Sequence, residues 1–190
     1  MDEVFSFLTQ LFTTTPYYYL SWPAAAMLVG TLVGVMSTAA ATALAIVPRT
    51  ERGLLGLITA PFVHANFAHF AANLPPFLIL GALVLRREQA QFLIIVLAMT
   101  FGQGGLLWLC GRKAAHVGMS GVIFGFFGYL IMLAWLTRTT PDLLVAGGVL
   151  IFYGGMLAGL KPARNGTSWE GHLFGLLIGL AVAWIRHAWF

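Results

Sequence analysis

The sequence predicts an all-α membrane protein built from six spanning helices, and three observations carry that prediction. Of 190 residues, 59% are hydrophobic and only 8% are charged, against about 25% charged in an ordinary soluble domain. The apolar residues gather into uncharged runs of about 20, the length that crosses roughly 30 Å of hydrocarbon. The 22 glycines suit helices that pack through small residues, by close van der Waals contact rather than by exclusion of water.

Taken in order, the runs are Ala24 to Val47, Phe67 to Leu85, Phe92 to Cys110, Val117 to Leu136, Leu143 to Leu160 and Gly171 to Ile185, the last of them short. The connections carry the punctuation: PRTERG, RRE, GRK, TRTTPD and KPARNGTSWE. Each run must be helical, because lipid cannot satisfy an open backbone. Residues 1–23 hold Phe5, Phe7, Phe12, Tyr17, Tyr18, Tyr19 and Trp22, rings that favour the headgroup level. They are expected to form an interfacial segment ahead of a six-helix domain at 24–190. MDEVFSFLTQLF opens with two acids where a cleavable signal needs basic residues, so no signal peptide is expected.

The single cysteine, Cys110, excludes an internal disulfide framework and has no metal-ligand spacing. The net charge of +4 comes from Lys and Arg placed almost wholly between apolar runs. That distribution anchors loops at the lipid headgroups and gives no basic stripe for a nucleic acid.

With six spans, both termini share a side, and spans two, four and six begin on one face. His64, His69 and Asn73 then lie at the start of span two, Ser120 at the start of span four and His172 at the start of span six. The polar side chains with chemical potential converge at one depth. His116 joins them, whereas His187 lies on the other side. Loops on the reactive side hold Arg49, Arg52, Arg112, Lys113, Lys161 and Arg164; the opposite side holds Arg86, Arg87, Arg138 and Arg186. By the positive-inside rule this small excess points the reactive face to the cytoplasm.

A serine hydroxyl becomes a useful nucleophile when a positioned base takes its proton, and histidine is the usual base. Ser120 and His172 are the candidate pair. Gly171, Gly175 and Gly179 on span six, and Gly118, Gly121, Gly125 and Gly128 on span four, would let the two helices approach closely. His69 and Asn73, four residues apart, share a helix face and can point together at a developing oxyanion. The N–H of Ser120, near a helix start, lacks an intrahelical partner and is a third candidate donor. The acids are Asp2, Glu3, Glu51, Glu88, Asp142 and Glu170. Glu170, two residues from His172, would point to another side of the helix, so a Ser–His dyad without an acid is expected. Structural readings stand beside these: Ser120 as a seam residue, Asn73 as interhelical glue, and His64 and His116 as snorkelling side chains.

Three pieces in order carry a resemblance to a known family: HANFAHFAAN at 64–73, GMSG at 118–121 and HLFGLLIG at 172–179. They resemble the rhomboid intramembrane serine proteases over about residues 54–186. The resemblance implies a six-helix rhomboid-like bundle with Ser120 as nucleophile, His172 as base, and His69, Asn73 and the Ser120 N–H as oxyanion donors. It implies no cofactor and no metal, membrane-anchored proteins as substrates cut within or beside their spans, and a bacterial inner-membrane setting. Termini would be cytoplasmic and the cavity extracytoplasmic, against the small charge bias. His64, Gly118, Gly121, Phe124, Gly175 and Gly179 would support the site, with Phe124 stacked beneath the base where many members have tyrosine. The fifth span, with Gly147, Gly148, Gly154, Gly155 and Gly159, resembles the mobile gate, and KPARNGTSWEG would cap the cavity. Departures are also present: Leu54, Leu55 and Gly56 replace a Trp-Arg pair in the first loop, and Arg86, Arg87 and Glu88 only approximate an acid-x-arginine motif. Two other readings are a membrane metallohydrolase using clustered histidines, although no HExxH accompanies them, and an inactive relative that binds transmembrane segments. Oligomeric state and the role of His116 are not readable from the sequence.

Overall fold

The computed structural model describes residues 16–162 and 168–189. Among these, six helices are long and apolar enough to cross a membrane. The first fifteen residues of the expected interfacial segment, and the middle of the expected cap, lie outside the described residues.

Helix α1 spans Tyr18–Met36, so the first crossing begins about six residues earlier than expected and takes in Tyr18 to Trp22. It ends early because Ser37 adopts an extended conformation and its hydroxyl caps the next short helix, α2 (Thr38–Ala43), accepting from the Ala40 N–H at 3.1 Å. A serine that bonds nearby backbone competes with helix continuation, and the run to Val47 is therefore broken. Helix α3 (Glu51–Thr59), capped by Thr50, has nine residues and is about 14 Å long, too short to cross. It packs on the third span and leaves Leu54, Leu55 and Ile58 exposed. A 3₁₀ turn, Ala60–Phe62, leads to the loop before the second span.

Helix α4 (Phe67–Arg87) starts at Asn66, whose Oδ1 accepts from the His69 N–H at 2.8 Å. Helix α5 is Phe92–Cys110 and α6 is Ser120–Thr137. Ser120 is the first helical residue rather than the fourth of its run, because Gly118 takes φ +113° and holds residues 117–119 out of the helix. Helix α7 (Thr140–Tyr153) continues as a 3₁₀ segment over Gly154–Leu160, and α8 is Trp169–Trp189.

α6 is the central post. Two thirds of its spanning window (67%) is buried, against 11% to 33% for the other five. Its chief partner is α8, and the contact is backbone on backbone. A Cβ added at Gly175 would strike the carbonyl of Gly121, and one at Gly179 the carbonyl of Gly125. At Gly128 it would come within 2.6 Å of the Leu176 carbonyl. Small residues bring these helices together as the sequence predicts.

At the end opposite Ser120, polar side chains staple the bundle. Asp142 accepts from the Thr137 hydroxyl at 2.7 Å, the Thr139 hydroxyl at 2.8 Å and the Arg87 guanidinium at 3.1 Å, joining the ends of α4, α6 and α7. Glu88 pairs with Arg186 of α8 at 3.4 Å.

Because the α6–α8 seam has no room, Gly179→Val is expected to cost about 1–3 kcal/mol or more through overpacking. Gly105→Ala, where a Cβ meets nothing within 4 Å, is expected to be near neutral. Unfolding of both variants in detergent micelles checks the contrast.

Candidate active site

The residues from 111 to 119 are held by main-chain bonds to distant segments. Ile46 and His116 exchange N–H···O bonds at 3.0 and 2.9 Å, and the Gly118 N–H donates to the Ala60 carbonyl at 2.9 Å. Gly118 must be glycine on two grounds: its positive φ, and the His69 ring, which would lie 2.8 Å from any Cβ there. This stitched loop delivers Ser120 to the head of α6, where its backbone N–H has no intrahelical acceptor.

His172, in the first turn of α8, meets Ser120 across the glycine seam. Its Nε2 lies 3.0 Å from Ser120 Oγ, and its Nδ1 lies 2.9 Å from the carbonyl of Gly159. A carbonyl only accepts, so Nδ1 carries the proton and Nε2 presents a lone pair to the serine hydroxyl. Phe124 stacks on the imidazole with centroids 4.4 Å apart and planes 10° from parallel, which fixes the ring in the plane that both bonds require. A hydroxyl hydrogen-bonded to an unprotonated imidazole nitrogen is the arrangement from which general-base activation proceeds.

His69 and Asn73 stand on the same side of α4, as their spacing predicts, and both line a cavity of about 940 Å³ shared with Ser120, His172, His116 and Ser168. The Asn73 amide nitrogen donates to the His69 carbonyl at 2.8 Å. That leaves one amide N–H and a buried Oδ1 without a protein partner. The His69 ring meets His64 edge-on at 4.9 Å.

His64 is not a snorkelling side chain; it is 0% exposed. The Thr31 hydroxyl gives its proton to the Met27 carbonyl at 2.6 Å, so it accepts from His64 Nδ1 at 3.2 Å. His64 Nε2 is then an acceptor for the Met119 N–H at 3.5 Å, the residue before Ser120. Burial, with the nearby His69 second, pulls the His64 pKa down to about 4. His116 is also buried rather than snorkelling. Its Nδ1 takes the Ser168 hydroxyl at 2.7 Å, and its Nε2 gives to the Arg112 carbonyl at 3.1 Å. Burial lowers its pKa as well.

The structure thus brings together Ser120, His172, His69, Asn73, Gly118 and Phe124, with His64 behind them and Gly121, Gly175 and Gly179 in the supporting seam. Glu170 is directed to Arg112 at 3.7 Å, and His172 has a carbonyl in the place where a triad would have an acid. Sequence reasoning missed the Gly159 carbonyl, which no side chain marks. It also missed Thr31, Ser168 and Gln103, although a glutamine within the apolar FGQGG was visible. The Gln103 Oε1 lies 2.5 Å from where a Cβ on Gly121 would stand. Among the described residues, no three His, Cys, Asp or Glu side chains converge as a metal-binding group.

A Rhomboid-domain family model matches residues 51–189. An uncharacterized protein of Mycobacterium tuberculosis is 36% identical over 151 residues, covering 74% of this chain and 62% of the relative. One from Mycobacterium leprae is 33% identical over 144 residues, covering 71% and 57%. A chloroplastic rhomboid-like protein 11 of Arabidopsis thaliana is 32% identical over 143 residues, covering 67% and 51%. The chain therefore spans between half and two thirds of the length of these relatives.

The buried histidines set an acid limit on the fold. His64 and His116 are neutral in the folded chain, whereas their unfolded counterparts take up protons below about 6.5. Stability is therefore full above pH 6.5 and is lost as pH falls, with His64 contributing down to about pH 4, at most about 3 kcal/mol by linkage. Melting in micelles from pH 7.5 to 4.5 should show this decline, and His64→Asn should flatten it.

Proposed function

The chain belongs to the rhomboid family, and from that premise we propose that it is an intramembrane serine endopeptidase working through a Ser120–His172 dyad. The observation that carries this reading is the 3.0 Å contact between Ser120 Oγ and His172 Nε2, with the proton on Nδ1 fixed by the Gly159 carbonyl. Substrates are membrane-anchored proteins, cut within or beside their transmembrane segment. Ser120 Oγ attacks the scissile carbonyl carbon while Nε2 takes the hydroxyl proton. The resulting imidazolium is held by its Nδ1–H···O=C bond and by the Phe124 ring beneath it. Negative charge on the former carbonyl oxygen is met by the Ser120 N–H, the second amide N–H of Asn73 and the His69 ring. Collapse of the tetrahedral intermediate passes the Nε2 proton to the leaving amine and leaves an acyl-serine. Water entering the cavity then attacks the acyl carbon as His172 Nε2 takes its proton, and collapse returns that proton to Ser120 Oγ and releases the new carboxyl terminus.

Hydrolysis inside a bilayer needs water at the serine, and the cavity that opens beside Ser120 supports that supply. The protein is a multi-pass integral membrane protein. In the proposed setting, a bacterial inner membrane, both termini are cytoplasmic and the cavity opens to the other side. Chemistry that needs no cofactor or metal is the leading reading; a histidine-based metallohydrolase and an inactive segment-binding relative are the competitors. The dyad contact favours catalysis over the inactive relative.

A fluorophosphonate probe on the purified chain decides the reaction class. Covalent capture is expected at Ser120 and is expected to vanish in Ser120→Ala and His172→Ala, with cleavage of a single-span substrate falling on the order of 10⁴-fold or more. Asn73→Ala, which removes one donor, should lose about 10²–10³-fold. Chelator should leave cleavage unchanged. Activity lost to chelator and restored by zinc would instead establish the metallohydrolase.

A further inference from the structure

Helix α4 carries Pro75 and Pro76 in its interior. Proline has no N–H, so neither can close the usual bond to the carbonyl four residues earlier. The carbonyls deprived of their donors are those of Ala71 and Ala72. The two positions differ in surroundings. His69, Ala72, Asn73 and Pro76 form one face of α4 and line the cavity at Ser120, whereas Ala71 and Pro75 are outside that lining. A carbonyl without a donor in hydrocarbon costs several kcal/mol, and such backbone is tolerated at membrane depth where it borders a water-filled or protein-lined space. The same cavity is lined by the 3₁₀ segment, with Gly155, Met156 and Gly159. In it a polypeptide that has left its helix would bring main-chain N–H groups in need of acceptors.

We propose that the Ala72 carbonyl, kept open by Pro76, is a substrate-docking acceptor that takes a main-chain N–H of the unwound substrate and holds the strand extended beside Ser120. The contact reads main chain rather than side chain, so it selects segments able to leave the helix without dictating their residues. A substrate still helical keeps its N–H groups for itself and gains nothing from this wall. The inference rests on the proposed endopeptidase function and adds the way its substrate is held.

The test is a matched pair of proline variants on the purified chain in micelles. Pro76→Ala restores an N–H to α4 and occupies the Ala72 carbonyl; Pro75→Ala does the same to Ala71, away from the cavity. With a fluorogenic single-span peptide, Pro76→Ala should raise KM about tenfold, equivalent to about 1.4 kcal/mol. Its rate of fluorophosphonate labelling at Ser120 should stay that of the parent. Pro75→Ala should change neither. On the substrate side, N-methylation of backbone amides one at a time near the scissile bond should find a position that raises KM about tenfold with the parent chain and not further with Pro76→Ala. Equal KM values for the parent and Pro76→Ala, equal effects of the two proline changes, or additivity at every N-methyl position would overturn the proposal. Absence of Ser120 labelling in the parent chain would overturn the endopeptidase reading instead, so the two failures are distinct.

Discussion

The contact on which the rest depends is backbone against backbone between α6 and α8. Where Gly175 meets Gly121 and Gly179 meets Gly125 there is no space for a single Cβ. At that spacing, the first residue of one helix and the fourth of the other come within hydrogen-bond range as Ser120 and His172. Any side chain in the seam would push the axes apart and carry the pair out of the usual hydrogen-bond range of about 2.5–3.2 Å. In lipid there is no hydrophobic drive to hold helices together, so such close contact is also a source of cohesion. The burial of α6 on nearly all sides follows from the same contact: it is the element against which α4, α5, α7 and α8 all rest.

The sequence disclosed what side chains and spacing encode. The apolar runs marked six crossings; the even count put His69, Asn73, Ser120 and His172 at one depth; the four-residue glycine spacing marked the seam. What stayed hidden belongs to the backbone or to local competition. Nothing in MST announces that Ser37 will cap α2 and cut the first helix, so that crossing shifted toward the N-terminus. Gly118 was legible as a glycine, but its positive φ, which delays α6 until Ser120, depends on the Ala60 carbonyl and the His69 ring. The partner of His172 Nδ1 is a glycine carbonyl in a 3₁₀ segment, and a carbonyl leaves no mark in a sequence. His116 was legible as a polar residue at the right depth, but Ser168, its partner, is 52 residues away.

That carbonyl bears on why the site does without an acid. An isolated carboxylate beneath the membrane surface carries a desolvation penalty of several kcal/mol. The described buried acids avoid it by lying against arginines near the ends of the bundle: Glu88 with Arg186, Asp142 with Arg87, and Glu170 with Arg112. A neutral acceptor on His172 Nδ1 also fixes the tautomer, because a carbonyl can only accept. It carries no net charge into the apolar interior.

The exchange has a chemical consequence. A carbonyl stabilises an imidazolium less than a carboxylate does, because charge-assisted hydrogen bonds are roughly twice as strong as neutral ones. In the proposed reaction more of the stabilisation must therefore come from the donors that meet the oxyanion, and these are neutral groups as well: a main-chain N–H, an amide and an imidazole. His64 belongs to the same economy. Burial keeps it uncharged, so Nε2 can accept the Met119 N–H, at 3.5 Å, in the turn that leads into Ser120. The resting site is thus assembled from dipoles fixed in place by the fold. In the proposed reaction charge arises there only transiently, as an imidazolium and an oxyanion that form together and offset one another.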